Sequence, residues 1–385
     1  MDNLTHSFIG LAVAKAGLEK LSPGATTLCV LAANSPDVDI VTLLGGRWTF
    51  LQQHRGISHS ILGALVLALA LPLVFYLVDL LLAQIHKHPR QIRMPGLMLA
   101  SLVATATHPL MDWTNNYGIR PLLPWNARWF YGDFVFIVDP FLWLVLGGAA
   151  FLLTARTRKQ MVLWLLLALV PSYLVLGGRS APELAGSALV LRVLWIVALI
   201  GLIYLHRQKI VDRAGSKVAL GALVLVTIYC SALALTHRVA LHQAQYRATA
   251  IASRNAEKVL KVAAMPVVAN PTEWVCVMET DRATYRFELS LWNSSAESSI
   301  PIRYEKPRGD DAVAVAEAAL DSRSQVFLGF ARFPVAHVLG ADCATQTLVQ
   351  FADLRYTEPG RSRGTFALDV PIDCPVMRSE IDERQ

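Results

Sequence analysis

Residues 61–82 read ILGALVLALALPLVFYLVDLLL, and this stretch decides the class of the chain. At 1.5 Å per residue a helical run of this length crosses the roughly 30 Å hydrocarbon core of a bilayer. Further runs of the same character occupy 134–154, 161–178, 187–205 and 217–235, with a shorter one at 97–111 that ends in Thr107, His108 and Pro109. Residues 7–16 and 24–33 are apolar and expected to be helical, but each is too short to span alone. The whole chain agrees: 54% of its 385 residues are hydrophobic and 17% charged, with the apolar residues gathered in long blocks.

The formal charge of +6 does not point to nucleic acid, because the basic residues fall in short clusters between apolar blocks. Lys87, Arg90 and Arg93 form one cluster, Arg156, Arg158 and Lys159 a second, and Arg207, Lys209, Arg213 and Lys217 a third. Positive short loops stay cytoplasmic, so the intervening segments 112–133 and 179–186 are expected to face outward. The N-terminus MDNLTHSFIG has neither a basic n-region nor a cleavage motif, so no signal peptide is expected to be removed.

The alternation puts the end of the last span outside. The expectation is a multi-pass protein of the bacterial inner (plasma) membrane, with an extracytoplasmic C-terminal domain. Its composition shifts there. After an expected helix at 237–262, the runs TEWVCVME, TYRFELSLW, SQVFLGFARFPV, TLVQFADLRYT and GTFALDVPI alternate apolar and polar residues and read as antiparallel strands. The fold class is therefore mainly α: a polytopic transmembrane helix bundle with a C-terminal antiparallel β domain. The expected divisions are 1–155, 156–236 and 237–385. Cys276, Cys343 and Cys374 lie in the last, where one pair could form a disulfide.

The chemistry-bearing residues are concentrated in 1–139: His6, the segment NSPDVD with Asp37 and Asp39, HRGISHS with His54, Arg55 and His59, THPLMD with His108 and Asp112, and Asp139. Each piece singly also suits a helix end or a solvated loop. The topology joins them, because His54 and His59 precede an inward span while His108 and Asp112 end an outward one. His108 and Asp112, four apart on a helix, share one face. Asp37 and Asp39, read as extended, point the same way at period two. Imidazole with carboxylate oxygen suits zinc, with manganese or iron as alternatives. The expected ligands are His6, Asp37, Asp39, His54, His59, His108 and Asp112. Asp37, Arg55 and Asp139 are the expected catalytic residues, Arg55 by holding an anionic group.

Thr5–Ser7, Pro36–Asp39, His54–Ser60 and His108–Asp112 resemble the YdjM-like, LexA-regulated, membrane-bound metal-dependent hydrolases of bacterial inner membranes, over roughly residues 1–145. That group is distantly similar to the zinc-dependent phospholipase C and P1 nuclease superfamily. The resemblance implies phosphoester hydrolysis with His54, His59, His108, Asp112 and one or both of Asp37 and Asp39 as ligands. The later His-x-x-x-Glu pair of those soluble enzymes is not found. The expected partners are the bilayer and a lipid or phosphoester substrate, with oligomeric state open. The competing readings are a membrane protein whose metal only staples helices, and a cation or proton transporter.

Overall fold

The computed structural model describes residues 1–87, 89–177, 185–268, 270–291, 300–339, 346–360, 364 and 366–373. The chain is mostly helical, with antiparallel sheets toward its C-terminus. Two compact units are distinguished. One comprises Met1–Asp39, Arg55–Arg238 and Pro266–Thr272, the other Ile40–His54, Val239–Met265 and Glu273–Gln385.

In the first unit, α1 (Asn3–Lys15) begins where Asp2 accepts a hydrogen bond from the Thr5 amide at 2.9 Å, and it packs on α2 (Ala25–Asn34). The two helices approach so closely that a β-carbon at Gly10 would lie 2.6 Å from the Cys29 carbonyl. Helix α3 (Arg47–Gln53) belongs to the second unit. Helix α4 (Ile61–His86) buries only Ala64, Ala68 and Pro72, one stripe at i, i+4 and i+8. Most of its remaining leucines and valines are exposed, as in a helix solvated by hydrocarbon. That stripe packs on α5 (Met94–Trp113).

Five helical segments are long and apolar enough to cross a membrane among the described residues: Ala25–Gly45, Ile61–His86, Arg158–Gly177, Leu189–Arg207 and Lys217–Arg254. The first differs from the sequence expectation of a short helix at 24–33, because a 3₁₀ run, Ser35–Gly45, continues α2. The expected span at 134–154 is shorter as a helix. It starts at Pro140, where the Asp139 carboxylate caps the amides of Phe141 and Leu142, and it contains a π-helical turn at Trp143–Gly147. The helix expected at 237–262 is the continuation of Lys217–Arg254, and a strand already begins at Val259. Of the expected outer loop 179–186, residues 179–184 lie outside the described residues, as do Cys343 and Cys374.

Toward the C-terminus, β1 (Val259–Val267), β2 (Asn270–Thr280), β3 (Ala283–Ser290) and β4 (Ile302–Glu305) form one sheet in sequence order. β5 (Pro334–Leu339), β6 (Gln346–Asp353) and β7 (Ala367–Asp373) form another. Ala263, Met265 and Val277 of the first sheet share a core with Phe333, Val335, Ala352 and Leu354. Ala240, Ala244 and Ala248, one helical stripe, close on Trp274, Cys276 and Phe287. The stretch SQVFLGF, expected as strand, is instead a helix, Ser322–Phe330. Asp321 caps it, and Ser324, Phe327 and Phe330 are buried at helical spacing, which overrides the apparent alternation.

Candidate metal centre

The turn before α4, the end of α5 and the 3₁₀ run after α2 bring two imidazoles and two carboxylates to one point. His59 Nε2 lies 3.1 Å from His108 Nε2, 3.3 Å from Asp37 Oδ1 and 3.3 Å from Asp112 Oδ2. His108 Nε2 lies 3.5 Å from the same oxygens of Asp37 and Asp112. A tetrahedral ion with ligands at about 2.0–2.1 Å has ligand-to-ligand edges of about 3.3–3.4 Å. The five measured edges, 3.1 to 3.5 Å, match that figure. The donor set therefore fits zinc in both type and spacing.

Local structure explains why the atoms meet there. His59 ends a 3₁₀ turn, Ile57–His59, and Ser60 then caps α4 by accepting the Gly63 amide at 3.0 Å. The turn folds directly over Gly63, where a β-carbon would lie 1.8 Å from the Ile57 carbonyl. His108 and Asp112 stand one turn apart on α5 and are both buried.

A supporting shell aims these groups. His108 Nδ1 is 2.6 Å from the Ala33 carbonyl, a partner that requires the proton on Nδ1 and leaves Nε2 free to ligate. His59 Nδ1 faces Asp39 Oδ2 at 3.3 Å and Ser58 Oγ at 3.0 Å. Asn3 Nδ2 donates to Asp37 Oδ2 at 3.0 Å. The extended reading of the PDVD segment is corrected by this geometry. On a 3₁₀ run, residues two apart diverge, so Asp37 reaches the Nε2 edge of His59 and Asp39 its Nδ1 edge.

Burial lowers the basicity of the His59 imidazole, but the carboxylates of Asp112, Asp37 and Asp39 outweigh it and hold the pKa up at about 10. Asp112 is the most crowded carboxylate. Its Oδ2 meets Arg55 Nε at 3.1 Å, and its Oδ1 faces the Met1 amine and, at 3.3 Å, His6 Nε2. The His6 ring stacks on His108 with centroids 3.7 Å apart, and neither of its nitrogens has a hydrogen-bond partner among the described residues.

Arg55 is 2% exposed, with a backbone φ of 54°. Its amide donates to Asp39 Oδ2 at 3.0 Å, and Nη1 reaches the Asp112 carbonyl, Asn115 Oδ1 and the Gly118 carbonyl at 3.3, 2.9 and 3.2 Å. The guanidinium thus braces Asp112 from inside the protein. His54 lies in the other compact unit, its ring stacked on Phe50 with centroids 4.7 Å apart. Asp139 is engaged elsewhere, as a helix cap that also accepts the Tyr229 hydroxyl at 2.8 Å. Asn3 and Asn115 were not singled out in the sequence. Asn115 had one available signal, its place just after THPLMDW, where a helix must end and an Asx turn holds Tyr117.

A bundle of apolar helices whose ends converge on buried histidines and aspartates defines a membrane protein with a candidate metal centre. Residues 1–183 match the family described as YdjM inner membrane protein, in agreement with the motif resemblance. The chain is also similar to the uncharacterized protein YfhP of Bacillus subtilis (strain 168), 28% identical over 154 residues. That match covers 37% of this chain and 43% of the relative's length. No solved structure matches the chain.

Proposed function

We propose that the protein is a membrane-bound metal-dependent hydrolase acting on phosphoester or lipid-like substrates. In this reading the centre lies at the outer face of the inner membrane and the C-terminal β domain is extracytoplasmic. The observation that carries it is the convergence of His59 Nε2, His108 Nε2, Asp37 Oδ1 and Asp112 Oδ2, from three separate elements of the chain, with each imidazole nitrogen at ligand spacing from the other and from both oxygens. A divalent ion there, zinc foremost and manganese or iron as alternatives, would supply a water of lowered pKa and polarise a phosphoryl oxygen.

The protein's own residues have separable parts in this reading. Asp37, at 16% side-chain exposure the most accessible of the four, is the group best placed to take a proton from an entering water. Arg55 positions Asp112, and Asp39 orients His59. His6, whose Nε2 faces Asp112 Oδ1 at 3.3 Å, and His54 complete the proposed ligand set.

The test is metal analysis of the detergent-purified protein beside turnover of a phosphodiester and phospholipid panel, repeated for a His59→Ala, Asp112→Ala double variant. Parallel loss of metal and turnover supports the proposal. Bound metal without turnover of any class would favour a helix-stapling role, and absence of metal from the wild type would sink the hydrolase reading. A reporter fused after Gln385 tests the orientation, which a cytoplasmic signal would invert.

A further inference from the structure

A groove of about 530 Å³ runs between α4 and α5 and has His59 in its wall. Ala64, Leu65 and Ala68 form one side, and Leu102, Ala106 and Leu110 the other. The side chains at its rim are turned outward, Leu65 being 45% exposed, Leu102 46% and Leu110 62%. Because α4 is long and apolar enough to cross a membrane, its outward rim faces hydrocarbon there and the groove opens sideways into the bilayer. From Leu102 to Trp113, both of which line it, the groove follows about 16 Å of α5 at 1.5 Å per residue.

One polar group interrupts the lining. Thr105 is 1% exposed, and its hydroxyl has no hydrogen-bond partner among the described residues. It stands three residues before His108 on the same helix, about 4.5 Å along the axis. A buried hydroxyl without a partner is unfavourable unless a ligand supplies one. Along α5 the groove therefore has the Thr105 hydroxyl set within an apolar lining, Leu102 before it and Ala106, Pro109 and Leu110 after it, with His108 of the His/Asp cluster one turn on.

We infer that this groove seats one hydrocarbon chain of an amphiphile. Thr105 meets an oxygen where tail joins head, and the polar head reaches His59 and His108. This deepens the proposed hydrolase reading, because it makes the substrate a tailed lipid entering from the membrane and not a water-soluble phosphoester. The tail lies against Ala64, Ala68 and Ala106, where small side chains leave the depression.

The test uses the full chain in detergent with a phospholipid whose acyl chain carries a photoactivatable diazirine. Cross-linked peptides are mapped by mass spectrometry, with and without excess unlabelled long-chain phospholipid. Labelling should concentrate on 102–113, be displaced by the competitor, and fall at least tenfold in Ala106→Phe, a change at an exposed position that fills the groove. Leu65→Trp narrows it from the α4 side and should do the same. Even labelling of all outward-facing helices, insensitive to either variant, would overturn the inference.

Activity provides the second arm. The ratio of kcat/KM for long-chain over dibutyryl phospholipid should fall at least tenfold in both variants, and an unchanged ratio counts against the groove. If the wild type turns over no phosphoester yet cross-linking stays saturable and groove-specific, the hydrolase reading has failed and the lipid seat has not.

Discussion

The Nε2 atoms of His59 and His108 face each other at 3.1 Å, each with a carboxylate oxygen of Asp37 and of Asp112 within 3.5 Å. Two imidazole nitrogens at that distance share either a proton or a cation, and the oxygens around them suit a cation of zinc-like size. Replacing any one of the four ligands by alanine should leave the purified protein with clearly substoichiometric zinc, measured by plasma mass spectrometry. Asp39→Asn, which weakens the hold on His59 Nδ1 and on the Arg55 amide without removing one of the four ligands, should keep metal but weaken its binding about 10- to 100-fold.

Metal removal should be visible in stability. An ion that binds the folded state at one hundred times its dissociation constant adds about 2.7 kcal/mol. Chelation should therefore lower the thermal midpoint followed by tryptophan fluorescence, and zinc should restore it. An unchanged midpoint after verified metal loss would count against a centre that ties helix ends together.

The affinity should depend on pH with a definite sign. His59 in the metal-free protein holds a proton up to about 10, above the ordinary histidine value. Without metal, that proton adds stability fully present below pH 6.5 and lost as pH rises through about 10. The metal competes with it, so zinc binding releases protons and should tighten up to about tenfold per pH unit for each proton displaced, as pH rises from 6 to 9. Competition against a chelator of known affinity measures the slope, and a flat profile would contradict the protonated state.

Arg55 tests the bracing of Asp112. Removing one partner of a buried ion pair costs about 3–5 kcal/mol, because the other charge is left without compensation. Arg55→Met should destabilise the protein by an amount in that range in denaturant or thermal unfolding. Arg55→Lys should rescue little, since one ammonium cannot reach Asp112, Asn115 and Gly118 in the fork geometry of a guanidinium.

Gly63 tests the turn that presents His59. Alanine there places a methyl group on the Ile57 carbonyl, so the turn must open. Gly63→Ala should lose metal although no ligand is changed, and a variant with wild-type zinc content would show that His59 does not depend on this turn.

The apolar run that forms α4 and the spacing of His108 and Asp112 were legible, because period and hydropathy are local properties of sequence. The direction taken by Asp37 and Asp39 was not. It depends on whether Pro36 opens an extended or a 3₁₀ segment, and composition does not distinguish them. Asn3 and Asn115 escaped notice because an amide that steadies a carboxylate or a guanidinium needs no motif of its own. The Ser322–Phe330 helix was hidden by aromatic residues that favour strands, although Asp321 is a cap signal three residues ahead of Ser324. Asp139 drew attention as an acid at membrane depth, and its work as a helix cap became apparent only with its partners Phe141, Leu142 and Tyr229 in place.

The His108 ring is tethered by the main-chain carbonyl of Ala33, at the C-terminal end of α2. A peptide oxygen survives every substitution of the residue that bears it, so this restraint cannot be mutated away by changing a side chain. It can be lost only by moving the helix. Drift in the α1–α2 pair, through Gly10 or the small residues around it, would therefore register as altered chemistry at a histidine seventy-five residues distant. Sequence change at Ala33 is constrained by its close packing on Gly10, which sets the height of the carbonyl, and not by the hydrogen bond itself.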